Sequence, residues 1–251
     1  IVFLSGYGTA SPILDFKPLY SRLSDKYRIA VVEKFGYGFS DEIDGDRDMD
    51  TILRQDREAL VKAGIEAPYV LCPHSFSGYE ATLWAQKHPD EVEAIVGLDM
   101  CTPNCKDRSE INDEHDSMKT ILPIYRFFQY TGVLRIFDED QSGTLTDEER
   151  QIFTELYCKK SLNDTVIREG SNDLELALYD EFDTSPLPTV PIIMYMSSDD
   201  NGDLWESGMQ AMVDASSDGR LIKLDCGHYV HDFEYERISK DMKEFIEELD
   251  K

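Results

Sequence analysis

Tyr69-Val70-Leu71-Cys72-Pro73-His74-Ser75-Phe76-Ser77-Gly78-Tyr79-Glu80-Ala81 is the stretch that decides the fold. Residues 69–72 form a continuous apolar run, as in a strand covered on both faces. A helix begins near Tyr79. Between them Ser75 stands on a sharp strand-to-helix turn, which projects its hydroxyl past the end of the strand. The N-terminus of the following helix offers amides and a positive dipole to an oxyanion. The G-x-S-x-G form of such an elbow wants small residues two before and two after the serine, because strand and helix approach closely there. Those places hold Pro73 and Ser77, with Gly78 one step later, so the match is partial.

Working outward, further apolar runs at 1–5, 28–33, 94–99, 191–197 and 220–224 read as strands. They are near-continuous in Val, Ile and Leu, which suits a parallel sheet. Helical patterns separate them. One covers about 47–63, with Met49, Ile52, Leu53, Leu60 and Ala63 on one face, Asp56 intruding on it, and Gly64 placed to end it. The last carries Ile238, Met242, Phe245, Ile246 and Leu249 as one stripe. This alternation predicts an α/β fold, a doubly wound, mostly parallel sheet. Residues 102–186 break the rhythm and read as a helical insertion, leaving 1–101 and 187–251 as the core. At the C-terminal edge of a parallel sheet such an insertion sits over the ligand crevice, as a cap or lid.

Composition narrows the classes. The chain has 251 residues, 25 Lys and Arg against 51 Asp and Glu, and a formal net charge of −26. So acidic a surface repels phosphate backbones, which argues against nucleic-acid binding. No apolar run approaches the ~18 residues of a membrane-spanning helix. Five cysteines without a CxxC pair read as buried free thiols rather than a disulfide or zinc framework. The chain opens inside a strand pattern, so compartment stays open, as does the choice of monomer or homodimer.

Three further landmarks follow strands. Ser5-Gly6-Tyr7-Gly8 comes after the first, and Gly36-Tyr37-Gly38-Phe39-Ser40 after the second. Asp225-Cys226-Gly227-His228 comes after the last. With Ser198-Asp199-Asp200 ending the fifth, the order is Ser…Asp…His. On these residues the whole chain resembles an α/β-hydrolase-fold serine hydrolase with a helical cap, esterase- or lipase-like. The resemblance implies Ser75 as nucleophile, His228 as general base, and backbone N–H groups of Tyr7 and Phe76 as the oxyanion hole. An unactivated serine needs an imidazole, which needs a carboxylate to fix its tautomer. Family spacing from Pro191 falls on Asp200 as that acid. Asp199, one residue off, and Asp99, at the alternative position after strand 94–99, stay open. The resemblance also implies that the fold's usual first two strands are missing from this chain, leaving strand 28–33 with an unpaired edge.

The implied reaction is acyl transfer to water from a small-molecule acyl substrate, a carboxylic ester by default, with no cofactor required. Epoxide hydrolysis and dehalogenation are disfavoured, because those relatives carry an Asp nucleophile where Ser75 stands. A peptidase of the proline-iminopeptidase type is one alternative, and a non-catalytic ligand-binding member of the fold is another. Tyr125, Phe127, Phe128, Tyr130 and Phe137 either line an acyl pocket or form the insertion's own core.

One motif stands apart. Residues 138–149 fit a 12-residue EF-hand loop, with Asp138, Asp140, Ser142, Thr144 and Glu149 as calcium ligands and Gly143 at the turn. Helical patterns at about 121–136 and 147–160 flank it. The alternative is an acidic helix–helix turn capped by Thr146.

Overall fold

The computed structural model describes residues 1–45, 47–136, 140–199 and 201–249. All six expected strands are present: β1 (Val2–Leu4), β2 (Ala30–Val32), β3 (Tyr69–Pro73), β4 (Val92–Leu98), β5 (Ile192–Met196) and β6 (Gly219–Lys223). They form one parallel sheet in the order β2-β1-β3-β4-β5-β6. The order reverses between β1 and β3, and the crevice beyond their C-terminal ends is where open α/β sheets place ligands. β2 and β6 are the edges, and β2 pairs with β1 alone among the described residues.

The helices are α1 (Pro12–Asp15), α2 (Lys17–Tyr20), α3 (Met49–Lys62), α4 (Ser77–Lys87), α5 (Arg108–Thr131), α6 (Asp147–Lys160), α7 (Asp164–Glu169), α8 (Asn172–Thr184), α9 (Trp205–Ala215), α10 (Val230–Phe233) and α11 (Tyr235–Leu249). Side chains alternate across a strand, so each central strand feeds two cores. Val2, Leu4, Leu71, Ile95, Ile192 and Met194 meet Ile52 and Leu53 of α3, Trp84 of α4 and Met209 of α9. Phe3, Val70, Cys72, Val96, Ile193 and Tyr195 point the other way, onto Phe16, Leu19 of α2 and the Ile238, Met242, Phe245 stripe of α11. No described helix is long and apolar enough to cross a membrane.

Between β4 and β5 the described residues form helices and turns without a strand. The helix expected at about 121–136 starts earlier and stops sooner. Asp107 accepts from the N–H groups of Ser109 and Glu110, and the Glu110 carboxylate accepts the Asp107 N–H at 2.7 Å, so the chain becomes helical at Arg108. It stops at Gly132, whose φ of 74° closes the last turn, and a short 3₁₀ turn at Val133–Ile136 follows.

Candidate active site

The partial elbow motif has a local explanation. Ser75 has φ 53°, a left-handed conformation that costs a non-glycine residue of order 1–3 kcal/mol. It is held by N–H donations to its carbonyl from Gly78 at 2.9 Å and Cys101 at 2.8 Å. The small residue the elbow needs is Gly78, not position 77: a Cβ there would sit 2.1 Å from the Cys101 carbonyl oxygen. Gly6 is needed too, since its Cβ would sit 2.9 Å from that of Ser75. Ser77 acts as a tie instead. Its hydroxyl accepts the His74 N–H at 3.0 Å and lies 2.7 Å from the Leu4 carbonyl oxygen, joining the elbow to β1.

His228, after β6, places Nδ1 2.6 Å from Oδ2 of Asp99, the residue that follows β4. Asp200, the acid that the resemblance implies from the family's spacing after Pro191, lies outside the described residues. Asp199 contributes differently, accepting the backbone N–H of His228 on Oδ2 at 2.7 Å. β4 adjoins β3, which puts Asp99, the residue after its end, beside the elbow. Asp99 is fully buried. Besides His228 it accepts from Ser197 N–H (3.0 Å), Ser197 Oγ (2.6 Å), Asn201 Nδ2 (3.2 Å) and Trp205 Nε1 (3.0 Å). Burial alone would raise the Asp99 carboxyl. The hydrogen bonds from His228 and Ser197 outweigh it and hold the group below the usual carboxylate range.

Ser75 and His228 open onto one cavity of about 450 Å³, which Lys106, Glu110, Asp113, Glu114 and Asn201 also line. A second cavity, of about 200 Å³, brings Tyr7 and Phe76 together with Ser75, Met118 and Glu175. The helical stretch between β4 and β5 lends Lys106 and Glu114 to the lining of both cavities. Lys106 reaches Glu114 at 2.6 Å and Glu175 at 3.5 Å. His115, which the sequence suggests is solvated, instead lies 3.4 Å from Glu175 and lines the second cavity.

Beneath the Tyr7 loop lies a buried ionic cluster that sequence reading passed over. Glu169 of α7 accepts from Lys34 Nζ at 2.7 Å, Arg47 Nη2 at 2.8 Å and Tyr37 Oη at 2.9 Å. Lys34 also donates to the Ser5 carbonyl at 3.3 Å, and Tyr37 Oη accepts the Gly8 N–H at 3.4 Å. The next residue, Gly170, packs so closely that its Cβ would sit 2.2 Å from the Tyr7 ring. Asp56 is the polar intruder on the α3 face; buried here beside Glu80, it is pushed well above the usual range by burial and then by Glu80. The signal was present: a carboxylate on an otherwise apolar helix face asks for a buried partner.

Behind His228 stands a row of imidazoles. The His74 ring lies 4.7 Å from those of both His228 and His231. His74 Nε2 lies 3.2 Å from the His228 carbonyl oxygen. Burial, then His231 and His228, hold His74 well below the usual histidine range, so it stays neutral and donates there. His231 Nε2 meets Asp15 Oδ2 at 2.9 Å. Burial pushes the neighbouring Asp232 carboxyl up to about 7, with His231 opposing and the charges of Asp15 and Asp140 adding.

Of the aromatic set of the insertion, Tyr125 is half-buried and packs edge-on against Tyr157 of α6, with ring centroids 6.5 Å apart. Phe127, Phe128 and Tyr130 are exposed, none of them lines the cavities at Ser75, and Phe137 lies outside the described residues. In the EF-hand-like loop, Asp138 also lies outside them. Asp140 accepts from Ser142 Oγ (2.7 Å) and the N–H groups of Gly143 (2.9 Å) and Leu145 (3.2 Å), and Ser142 Oγ lies 2.9 Å from Thr144 Oγ1. Glu149 pairs with Lys17 and closes a capping box with Thr146, the N-cap of α6.

No family model matches the chain. Among curated proteins, the uncharacterised YbdG of Bacillus subtilis is 38% identical over 172 residues, 64% of this chain and 51% of that protein. The pimeloyl-[acyl-carrier protein] methyl ester esterase of Shewanella woodyi is 35% identical over 100 residues, 39% of this chain and 34% of that protein. The chain thus spans about half the length, or less, of these relatives. Among solved structures, the epoxide hydrolase CorEH superposes with TM-score 0.73 at 17% identity, covering 99% of this chain and 91% of that one.

Proposed function

We propose that this chain, which has the α/β-hydrolase fold, is a serine hydrolase that cleaves a carboxylic ester through an acyl-enzyme. The observation that carries the reading is the 2.6 Å bond from His228 to a buried Asp99, with His228 and the elbow Ser75 sharing one cavity. Asp99 fixes the Nδ1–H tautomer of His228, which leaves Nε2 free to take the Ser75 proton. Ser75 Oγ attacks the carbonyl carbon, and Tyr7 and Phe76 N–H groups receive the developing oxyanion. His228 returns the proton to the leaving alkoxide, and water repeats the sequence to release the acid and free Ser75.

An epoxide reaction of the kind named for the structural relative needs a carboxylate at the elbow, and Ser75 supplies a hydroxyl. The esterase named among the curated relatives fits the site better. The cavity walls carry Lys106, Glu110, Asp113 and Glu114 rather than an apolar sleeve, which favours a short or polar acyl group. The helical stretch 102–186 acts as the cap that selects substrate. A p-nitrophenyl ester series from acetate to decanoate, run with wild type and Ser75→Ala, tests all of this. Wild type should turn over the short esters fastest and Ser75→Ala none of them. Failure of a fluorophosphonate probe to label Ser75 in folded protein would sink the reading.

A further inference from the structure

We propose that Asp15, His231 and Asp232 form a site for one divalent transition-metal cation, of the zinc or manganese type, behind the candidate active site. One ligand atom from each residue lies within 4.8 Å of the others. His231 Nε2 and Asp15 Oδ2 stand only 2.9 Å apart. A cation held ~2.0–2.2 Å from each oxygen and nitrogen needs donors about 2.8–3.6 Å apart, so the Asp15–His231 pair already fits and a side-chain rotation that brings Asp232 inward completes the set. His231 is fully buried, and Asp15 and Asp232 are each 7% exposed.

A second feature points to a ligand. A cavity of about 80 Å³ opens against Asp15 and Asp232, lined also by Thr9 and Gln141. Thr9 is 5% exposed, and its hydroxyl has no hydrogen-bond partner. A buried hydroxyl without a partner costs free energy that an oxygen-seeking cation or its bound water would recover. The volume suffices for a metal-bound water, whose share of liquid is about 30 Å³.

The donor set decides the class of ion. Two carboxylates balance a divalent charge, and one imidazole favours zinc or manganese over calcium or magnesium, which prefer oxygen throughout. The donors are distinct from the calcium-type set of the loop at 140–149: that loop lends Gln141 to the cavity wall, while its Glu149 is held by Lys17. The position is mechanically suggestive. Thr9 follows the Tyr7 loop, Gln141 belongs to the helical insertion, and the His231 ring abuts His74, next to the nucleophile. A cation there pins three segments around Ser75, and it does so whether or not the ester reading holds.

The test is Co²⁺ titration of the EDTA-stripped full chain, followed by visible absorption, with melting temperature measured in Zn²⁺ and Mn²⁺. One equivalent should bind with d–d bands and raise the melting temperature. Asp232→Asn and His231→Gln should each weaken binding by about 100-fold or more, at or beyond what loss of a supporting hydrogen bond does. Glu149→Gln and Ser75→Ala should bind as wild type does. Asp232→Asn is nearly isosteric, so it decides the matter even if His231→Gln fails to fold. No saturable binding at millimolar metal overturns the proposal, as does a thiolate charge-transfer band, or binding untouched by Asp232→Asn.

Discussion

Replacing Asp99 by Asn changes one atom of a carboxylate that accepts five hydrogen bonds, and the structure indicates where the new amide must turn. On the Oδ1 side it would face two fixed donors, Ser197 N–H and Trp205 Nε1–H, neither of which can reverse. On the Oδ2 side its neighbours are Ser197 Oγ, Asn201 and His228. Each of those can present a lone pair, by rotating a hydroxyl, flipping an amide or changing tautomer. The amide therefore goes to the Oδ2 side. His228 must then accept on Nδ1 and carry its proton on Nε2, the nitrogen that has to receive the Ser75 proton. The same tautomer error in a Ser-His-Asp triad lowers kcat by about 10⁴, or about 5 kcal/mol. Folding should suffer far less, about 0.5–1.5 kcal/mol, because the donors are re-paired rather than orphaned. Initial rates on a p-nitrophenyl ester, with a denaturant melt of the same sample, separate the two. If Asp99→Asn keeps kcat within tenfold of wild type while Asp200→Asn loses it, the acid is Asp200 and the argument from Asp99 fails.

Glu169→Gln removes the carboxylate that Lys34, Arg47 and Tyr37 share, leaving Lys34 with Glu80 at 3.7 Å and Arg47 with Gln55 at 2.9 Å. Urea unfolding should show a loss of about 3–5 kcal/mol, and a loss below 1 would mean that water already reaches the cluster. The pH course of stability has a definite sign. Burial would raise Glu169, but Lys34 and Arg47 outweigh it and hold it below its ordinary 4.5. Its contribution is therefore complete above the unfolded value and drains away as pH falls below 4.5 through the folded one. Melting curves from pH 6 to 3 should steepen there in wild type and flatten in Glu169→Gln; parallel curves would contradict the assignment. Calcium at 138–149 must displace Lys17, whose hydrogen bond is the main cause holding Glu149 at about 2. Calorimetry should find binding no tighter than ~10⁻⁴ M, lost in Glu149→Gln and tightened in Lys17→Ala. Micromolar affinity that survives Glu149→Gln would place the ion elsewhere.

The sheet was legible because buried parallel strands leave an unbroken apolar signature, as at 69–72 and 94–99, and turn residues follow each one. The positions of Ser75 and His228, each just past a strand whose end could be located, were legible for the same reason. The carboxylate partner was not, since two strand ends carry acids and only the lateral order of strands decides which one stands beside β3. Asp99 comes to lie beside His228 through sheet topology, which no local pattern encodes. Helix α5 was misjudged at both ends because its start depends on the Asp107–Glu110 capping exchange inside a run of charges that reads as solvated surface. The Lys34–Glu169 cluster escaped because its members lie far apart in the chain, and a buried charge looks like any other charge until its partner is found.

That cluster also sets the terms on which the two parts of the chain can be exchanged. Lys34 and Arg47 belong to the core, and their counter-ion Glu169 arrives on the far side of a long helical excursion. An excised or transplanted segment that brings no acid to this point takes away the one carboxylate that Lys34 and Arg47 share, leaving Lys34 with Glu80 and Arg47 with Gln55. The helical segment is therefore no interchangeable attachment. A chimera in this fold should express as folded protein only when the graft's acid and the host's bases are moved as a matched set, and recombination within 102–186 should succeed more often on either side of Glu169 than across it.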